Sequence, residues 1–271
     1  MKKIRVYVYV LAIMSFILSG YAVSNIHFYP SGTYESISIG RVIDGDTFEF
    51  NDTKYRLMGI NTPEKNEYLY EQAKEFLKGF ESNTITFEFF ELDKYERKLG
   101  YIHFQGIVLN ELIIRQGLAT VYYYQEDKFT KQLLKSESIA REKEIGLWER
   151  SKEECGRCIV ISKIESGKGR NDCSPGNESV IISNFCTIDC SLNEWKIKDS
   201  ATHIYEFSNT SVIPKGKILT LYNGEGTDVP ENGIFFWNNK PAGACYSLWN
   251  DAGDNAFMRD KNGLLVSFYR Y

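Results

Sequence analysis

Two aspartates flank a glycine in Asp44-Gly45-Asp46, a segment that lies between strand-like residues. Carboxylate oxygens are the ligands that hard divalent cations such as Ca²⁺ prefer. Glycine and aspartate are also common turn residues, so this segment alone is more typical of a solvated bend. The metal-site interpretation therefore depends on what the neighbouring segments add.

The segment Asn61-Thr62-Pro63-Glu64 follows a strand-like run that contains Arg56. The start of a helix would explain why these residue types occur here, because Thr62 suits the N-cap and Pro63 suits the first helical position. Glu64 would then lie at the positive end of the helix dipole. Capping does not explain why the helix starts directly after an arginine-bearing strand, so a functional role stays open.

A further charged segment, residues 93–101, links two strand-like runs and carries Lys94, Tyr95 and Arg97. By itself it is typical of a solvated hairpin connection. Arg97 suggests a functional role only in combination with Arg56, since two arginines in separate segments can hold one phosphate group from two sides.

Together these segments fit the hydrolysis of a phosphodiester. That reaction needs a divalent cation at a phosphate oxygen and a positioned water. Arginine offers a planar fork of N–H groups to the phosphate and stays charged, and a carboxylate orients or deprotonates the water. The four side chains that supply this set are Asp46, Glu64, Arg56 and Arg97.

Residues 40–148 resemble the staphylococcal-nuclease-like (thermonuclease) family of calcium-dependent nucleases with an OB-fold. Ordered motifs at compatible spacing make the resemblance specific. They are Arg41-Val42-Ile43-Asp44-Gly45-Asp46-Thr47, Tyr55-Arg56-Leu57, Asn61-Thr62-Pro63-Glu64, Asp93-Lys94-Tyr95 with Arg97, and Asn110-Glu111 through Arg115-Gln116-Gly117-Leu118-Ala119.

The resemblance implies a role for each matching residue. Arg56 and Arg97 would bind and stabilise the phosphate, and Glu64 would act on the water. The implied calcium ligands are Asp46 and the carbonyl of Thr62, with Asp44 in support and Asn61 as a further ligand. The implied lining of the nucleotide pocket is Lys94, Tyr95 and Tyr123.

Asn61 departs from the family pattern, because the best-known members carry aspartate at this position. An amide oxygen still coordinates calcium, but the site loses one negative charge. Fewer anionic ligands weaken a calcium site, so we expect a dissociation constant of ~10⁻⁴–10⁻³ M.

The formal net charge is −4, and residues 31–154 carry 17 Lys/Arg against 23 Asp/Glu. A polyanionic substrate such as DNA or RNA must therefore meet a local cationic surface rather than a global positive field. Three histidines are too few for a cluster of histidine metal ligands. The acidic balance and Asn61 leave an alternative open, a nucleic-acid-binding or scaffold barrel without useful turnover.

Residues 36–150 are expected to form an α+β domain, with strands at residues 36–50, 54–60, 84–91, 99–104 and 120–124 and helices at residues 64–80, 109–116 and 127–145. The family resemblance implies that these elements build a five-stranded OB-fold barrel with helices.

Residues 158–271 change to short β-rich runs separated by turn signals, which is typical of an all-β sandwich. Letters such as Trp195-Lys196-Ile197-Lys198-Asp199 resemble a lamin-tail domain with an Ig-like fold. The resemblance implies a fold rather than a reaction. We expect an accessory module for binding or anchoring, with adhesion to a cell surface or partner as the alternative.

Residues 1–23 read as an export segment, because Lys2, Lys3 and Arg5 precede an apolar run and small residues follow it. Cleavage as a signal peptide and retention as a membrane anchor both remain open. Either outcome places residues 36–150 and 158–271 outside the cytoplasm, secreted or associated with a membrane or cell surface. Residues 24–35 and 151–157 are the expected linkers, and no protein partner can be inferred.

All six cysteines lie in the C-terminal part of the chain, at Cys155, Cys158, Cys173, Cys186, Cys190 and Cys245. An even number in an exported domain favours disulfides, with 15 possible connectivities. Zinc is the alternative, since Cys155 and Cys158 form a plausible half-site, although the second pair has a three-residue spacer.

Overall fold

The computed structural model describes residues 32–123, 125–167, 178–201, 203–238, 248–250 and 253–271. The expected export segment, residues 24–31 of the first linker, Cys173 and Cys245 lie outside the described residues. Within the described ranges, none of the helices has both the length and the apolar character needed to cross a bilayer.

The N-terminal half contains three helices, a short 3-10 turn and a series of strands. The helices are α1 (Tyr70–Lys78), α2 (Leu109–Arg115) and α3 (Thr130–Glu142), and the 3-10 turn is Gly146–Trp148. The strands are β1 (Thr33–Ser38), β2 (Arg41–Val42), β3 (Thr47–Phe50), β4 (Thr53–Leu57), β5 (Ile60–Asn61), β6 (Thr84–Leu92), β7 (Lys98–Phe104), β8 (Ile107–Val108) and β9 (Thr120–Val121).

The main sheet has the strand order β1-β6-β7-β4-β3-β2. Its two outer members, β1 and β2, are consecutive in the chain and form one bent strand, so the sheet closes on itself. The bend needs Gly40, since a Cβ there would lie 2.2 Å from the carbonyl oxygen of Glu49. Counting the bent strand once gives the five-stranded OB barrel that the sequence predicts.

Buried aromatic rings and one buried amide hold the barrel strands in place. Phe48 stacks on Tyr55 with ring centroids 5.0 Å apart, and Phe87 meets Tyr55 edge-on at 4.9 Å. The side-chain nitrogen of Asn110 donates to the carbonyls of Met58 at 2.8 Å and Gly100 at 3.2 Å. These bonds connect α2 to the paired strands β4 and β7. Strand β4 carries Arg56, and strand β7 begins directly after Arg97.

The helix expected at residues 64–80 is shorter than predicted, because it begins only at Tyr70. Asn66 and Leu69 have positive φ angles of 73° and 66°, which are incompatible with a right-handed helix. Thr62 is therefore not a helix N-cap, and the capping interpretation of residues 61–64 is wrong. Two other predicted elements are also longer than the observed ones. The helix expected at residues 127–145 covers only Thr130–Glu142, and the strand expected at residues 36–50 is divided among β1, β2 and β3.

The C-terminal half is an all-β sandwich, as predicted. Its larger sheets have the orders β10-β11-β16-β17 and β14-β13-β18-β19, and β12 pairs with β15. The strands are β10 (Ile159–Ser166), β11 (Glu178–Asn184), β12 (Cys190–Ser191), β13 (Lys196–Lys198), β14 (Ile204–Glu206), β15 (Val212–Ile213), β16 (Ile218–Asn223), β17 (Ile234–Trp237), β18 (Asn255–Arg259) and β19 (Leu265–Arg270).

Two disulfides pair four of the six cysteines, Cys155 with Cys190 and Cys158 with Cys186. They use the sulfurs that the alternative zinc site would need. Each closes a loop of 35 or 28 residues, which corresponds to a stabilisation of about 3–4 kcal/mol in the loop-entropy account. The bonds fasten the start of the sandwich to the segment that leads into β12.

The barrel and the sandwich form one compact body, Thr33–Tyr271, and share a small apolar core. Trp148 packs edge-on against Phe268 at 5.1 Å between ring centroids. The backbone N–H of Leu265 donates to the carbonyl of Glu149, and the N–H of Ser151 donates to the carbonyl of Leu265, both at 2.8 Å. The start of the expected linker is therefore hydrogen-bonded to the sandwich.

Candidate active site

Asp46 is a buried carboxylate at the centre of the candidate site. Its Oδ2 atom accepts hydrogen bonds from the backbone N–H and the hydroxyl of Thr62, both at 2.8 Å. The hydroxyl of Thr47 donates to Oδ1 at 3.1 Å. Arg56 lies opposite Thr47 in the β3–β4 pair, and its Nη1 atom is 3.1 Å from Asp46 Oδ2. Strand register thus builds a buried ion pair that is also hydrogen-bonded.

Asp44 places a second carboxylate beside Asp46. Its Oδ1 atom accepts the backbone N–H of Asp46 at 3.1 Å. Burial, with a further contribution from the Asp46 charge, raises the pKa of Asp44 to about 6. Gly45 keeps the loop tight, since a Cβ there would lie 2.7 Å from the Cβ of Ala73 and 2.9 Å from the Thr62 hydroxyl. A cation between two such carboxylates would offset their repulsion.

Asn61 connects the site to the sandwich. Arg56 Nη2 donates to the amide oxygen of Asn61 at 3.0 Å, and the amide nitrogen donates to the backbone carbonyl of Ser200 at 3.3 Å. Each end of the amide therefore has a partner matched to its chemistry. A carboxylate at this position could keep the first contact but could not donate to Ser200.

Arg97 is positioned by Asp93. The Arg97 Nε atom donates to Asp93 Oδ2 at 2.7 Å, and the Arg97 backbone N–H donates to Oδ1 at 2.9 Å. The parallel β4–β7 pair sets Arg56 opposite Leu99, so Arg97 lies two residues before the partner of Arg56. Among the described residues, neither terminal nitrogen of Arg97 has a hydrogen-bond partner, which leaves both available to an anion.

Glu64 is exposed and lies two residues beyond Thr62 in the same loop. Its backbone N–H donates to Glu67 Oε2 at 2.8 Å. Within the part of the chain that the structure describes, neither the Glu64 carboxylate nor Arg97 contacts the Asp46–Arg56 pair. The structure therefore brings together Asp44, Asp46, Arg56, Asn61 and Thr62, and it places Glu64 and Arg97 on adjoining segments.

Comparison with known proteins assigns a family to this arrangement. A family model described as "Staphylococcal nuclease homologue" matches residues 54–150, and the Lamin Tail Domain model matches residues 155–271. An uncharacterized endonuclease of Escherichia coli O157:H7 is 32% identical over 114 residues, covering 40% of this chain and 73% of that relative. The chain belongs to the staphylococcal nuclease homologue family. Its barrel is a nuclease domain, and its sandwich is a lamin tail domain.

Other relatives also match part of the chain. Protein ParB of Escherichia coli is 30% identical over 123 residues, which are 40% of this chain and 69% of ParB. Staphylococcal-like nuclease CAN1 of Arabidopsis thaliana is 36% identical over 102 residues, which are 37% of this chain and 31% of CAN1. The nuclease match begins at residue 54, after Asp44 and Asp46, but hydrogen bonds from Thr62 join Asp46 to the matched segment.

The three residues expected to line a nucleotide pocket occupy two places in the nuclease domain. Tyr95 is 66% exposed, and Lys94 Nζ lies 5.0 Å from its ring centroid, so these two belong to the loop that carries Arg97. Tyr123 follows β9 and lines a crevice of about 240 Å³ beside Ser200 of the lamin tail domain. The described side chains of Tyr95 and Tyr123 make no contact with each other.

The donor set of the nuclease domain fits calcium. Asp44 and Asp46 offer carboxylate oxygens, Asn61 offers an amide oxygen, and Thr62 offers a backbone carbonyl. An all-oxygen set suits a hard cation. Arg56 already contacts Asp46 and Asn61, so a cation would share these oxygens with a positive guanidinium.

Sequence reasoning did not identify two positioning groups. Asp93 belongs to the motif Asp93-Lys94-Tyr95 but has no role that its sequence position indicates, although it fixes both the backbone and the guanidinium of Arg97. Ser200 gave no signal at all, because its backbone carbonyl is the contacting group and it lies 139 residues from Asn61. The contact between Asp93 and Arg97 is local, whereas the contact between Asn61 and Ser200 depends on folding of the whole chain.

Proposed function

We propose that the nuclease domain hydrolyses phosphodiester bonds of DNA and/or RNA in a calcium-dependent reaction, with the lamin tail domain as an accessory binding or anchoring module. The observation that supports this most directly is the position of Arg56, which contacts both Asp46 and Asn61. The same guanidinium thus lies beside the proposed metal ligands, where its N–H groups could stabilise negative charge on a phosphate.

In the proposed reaction, Arg56 and Arg97 donate N–H groups to the non-bridging phosphate oxygens as charge grows on five-coordinate phosphorus. Glu64 accepts a proton from the attacking water, and the opposite oxygen leaves with the electrons of the broken P–O bond and takes a proton from solvent. Asp44, Asp46, Asn61 and the Thr62 carbonyl would hold Ca²⁺, which when bound supplies charge neutralisation at the phosphate.

A digestion experiment tests the proposal. Single-stranded DNA, duplex DNA and RNA are incubated with the full chain in the presence of calcium or a chelator. We expect shortened products only with calcium, and half-maximal activity at ~10⁻⁴–10⁻³ M Ca²⁺. Half-saturation at or below about 1 μM would contradict a weak site. Equal digestion with the chelator would contradict calcium dependence.

The second candidate function is nucleic-acid binding without useful turnover. It is favoured by the amide at Asn61 and by the acidic balance of residues 31–154. The same experiment separates the two functions, because a binder retards nucleic acid in a gel and leaves its length unchanged.

We also propose that the protein acts outside the cytoplasm, either secreted or held at a membrane or cell surface by its N-terminal segment. The two disulfides support this, because such bonds persist in oxidising compartments. Mass spectrometry of the mature N-terminus after cell fractionation would separate a cleaved signal peptide from a retained anchor. Recovery of the full chain with reduced cysteines in the cytoplasm would contradict export.

A further inference from the structure

A groove of about 470 Å³ runs between the loop at residues 61–68 of the nuclease domain and the sheet β14-β13-β18-β19 of the lamin tail domain. Its lining includes Asn61 and Thr62, so the groove is continuous with the candidate active site. The charged side chains that line it are the cations Lys65, Lys196, Lys198, Arg259 and Lys261 and the anions Glu67, Asp199 and Asp260.

The three anions of the groove already have cationic or N–H partners. Both carboxylate oxygens of Glu67 accept hydrogen bonds from Lys198, at 2.6 and 2.8 Å. Asp199 Oδ2 lies 2.6 Å from Nδ1 of His203. Asp260 accepts the hydroxyl of Ser151 at 2.5 Å together with backbone N–H groups of its own turn. All three carboxylates are therefore hydrogen-bonded within the protein, and Glu67 is also neutralised by Lys198.

Several cations of the groove are less well balanced. Arg259 donates to the backbone carbonyls of Leu147 at 2.8 Å and Gly263 at 3.0 Å, and no described carboxylate lies within ion-pair distance of it. Lys65 is exposed and forms no ion pair with any described residue.

Lys196 and Lys261 reach Glu206 and Glu153 only at 3.3 Å and are 51% and 49% exposed. Exposed pairs of this kind contribute little and exchange readily for another anion. The side chains that line the groove thus include five cations against three anions, although the chain as a whole is acidic.

The volume of the groove indicates which form of nucleic acid it accepts. A space of about 470 Å³ falls in the range of pockets for small ligands, and it has room for about one or two nucleotides of a single strand but not for a duplex. Tyr68 and the partly exposed Ile204 add apolar surface on opposite sides of the groove. Cationic grooves with aromatic surface are typical of single-strand binding.

We propose that this groove binds the single strand that adjoins the scissile phosphate, so that Lys196 and Lys261 of the lamin tail domain contact substrate phosphates. The inference rests on the proposed nuclease function and extends it by assigning half of the substrate site to the accessory domain. No change in the position of either domain is required.

The test compares the full chain with the double variant Lys196→Gln/Lys261→Gln and with a matched control, Lys163→Gln/Lys217→Gln. The control removes two exposed lysines from the same domain that do not line the groove, Lys163 in β10 and Lys217 directly before β16. Both variants should fold, because all four lysines are exposed. Binding of a fluorescent single-stranded DNA of about twelve nucleotides is measured by anisotropy, with a chelator present, over a series of salt concentrations.

We expect the groove variant to bind about five- to tenfold more weakly and the slope of log K against log[salt] to fall by about 1.4, because each lost phosphate contact on a single strand removes about 0.7. The control variant should keep the slope of the unaltered chain. Equal slopes in the two variants would overturn the inference.

Addition of calcium to the same mixtures tests the proposed function separately. Cleavage of the oligonucleotide by the unaltered chain, together with equal salt slopes in the two variants, would retain the nuclease and exclude the groove. Binding with the expected difference in slope, but without cleavage, would retain the groove and exclude the nuclease. The two proposals therefore fail in different measurements.

Discussion

Asn61 shows how one side chain serves both the metal site and the contact between domains. Its amide oxygen faces Arg56 and its amide nitrogen faces the carbonyl of Ser200. An aspartate would add negative charge to the ligand set and strengthen calcium binding. It would also turn an oxygen toward the Ser200 carbonyl, where no donor could satisfy either group.

We therefore expect Asn61→Asp to lower the calcium concentration for half-maximal cleavage by about tenfold. The same variant should lose about 1–3 kcal/mol of stability, because the hydrogen bond to Ser200 is lost and a carboxylate oxygen then faces the Ser200 carbonyl. Calcium titration of activity and thermal unfolding without calcium measure the two effects. Asn61→Ala is the control, with lower stability and no gain in calcium affinity. An aspartate variant as stable as the original would argue against the Ser200 contact.

The two arginines should differ when they are removed. Arg97→Ala should reduce cleavage by about 10²–10³-fold with little loss of stability, since Asp93 keeps backbone N–H partners. Arg56→Ala should reduce cleavage similarly and also cost about 3–5 kcal/mol, because it leaves buried Asp46 without its ion-pair partner. Initial rates and urea unfolding measure both. Intact cleavage in either variant would remove that arginine from the proposed mechanism.

At the scale of elements, the segment between β13 and β14 holds Ser200 in place and responds to pH. His203 Nδ1 lies 2.6 Å from Asp199 Oδ2, and this hydrogen bond raises the pKa of His203. A pKa raised by folding adds stability below the unfolded value of about 6.5, and that stability is lost as pH rises through the folded pKa.

We expect the unaltered chain to lose more stability than His203→Gln as pH rises from below about 6.5 through the raised pKa of His203. Chemical unfolding at several pH values measures this, and above the folded pKa the two stability curves should run parallel. Parallel stability curves for the unaltered chain and His203→Gln over the whole pH range would refute the linkage.

Local patterns predicted where most strands of the barrel lie, because strand pattern and turn residues depend on neighbouring residues. The turn at Asn51 and Asp52 takes the positive φ angles that its letters favour, which sets the β3–β4 register and hence the contact of Arg56 with Asp46. The predicted helix start failed because residues 64–69 fold as hydrogen-bonded turns, with Leu69 at a φ angle of 66°, although the apolar pattern continues through them. The contact of Asn61 with Ser200 was not predictable, since every residue has a backbone carbonyl and the sequence does not show which one a distant side chain will meet.

At the scale of the whole molecule, the shared core around Trp148 should make the two domains unfold together. Trp148 and Ala140 of the nuclease domain pack with Phe257 and Leu265 of the lamin tail domain. Removing a buried tryptophan costs about 3–5 kcal/mol, and here that loss falls on the contact between domains rather than on either separate core.

Calorimetry should therefore show one transition for the unaltered chain and two for Trp148→Ala, because the variant loses the coupling while both main cores stay intact. Leu221→Ala, which opens the lamin tail core away from the junction, should lower the transition temperature and leave a single transition. A single transition in Trp148→Ala would mean that the hydrogen bonds of Glu149 and Ser151 with Leu265 suffice for coupling. Two transitions in the unaltered chain would mean that the two domains unfold independently and that the shared core does not couple them.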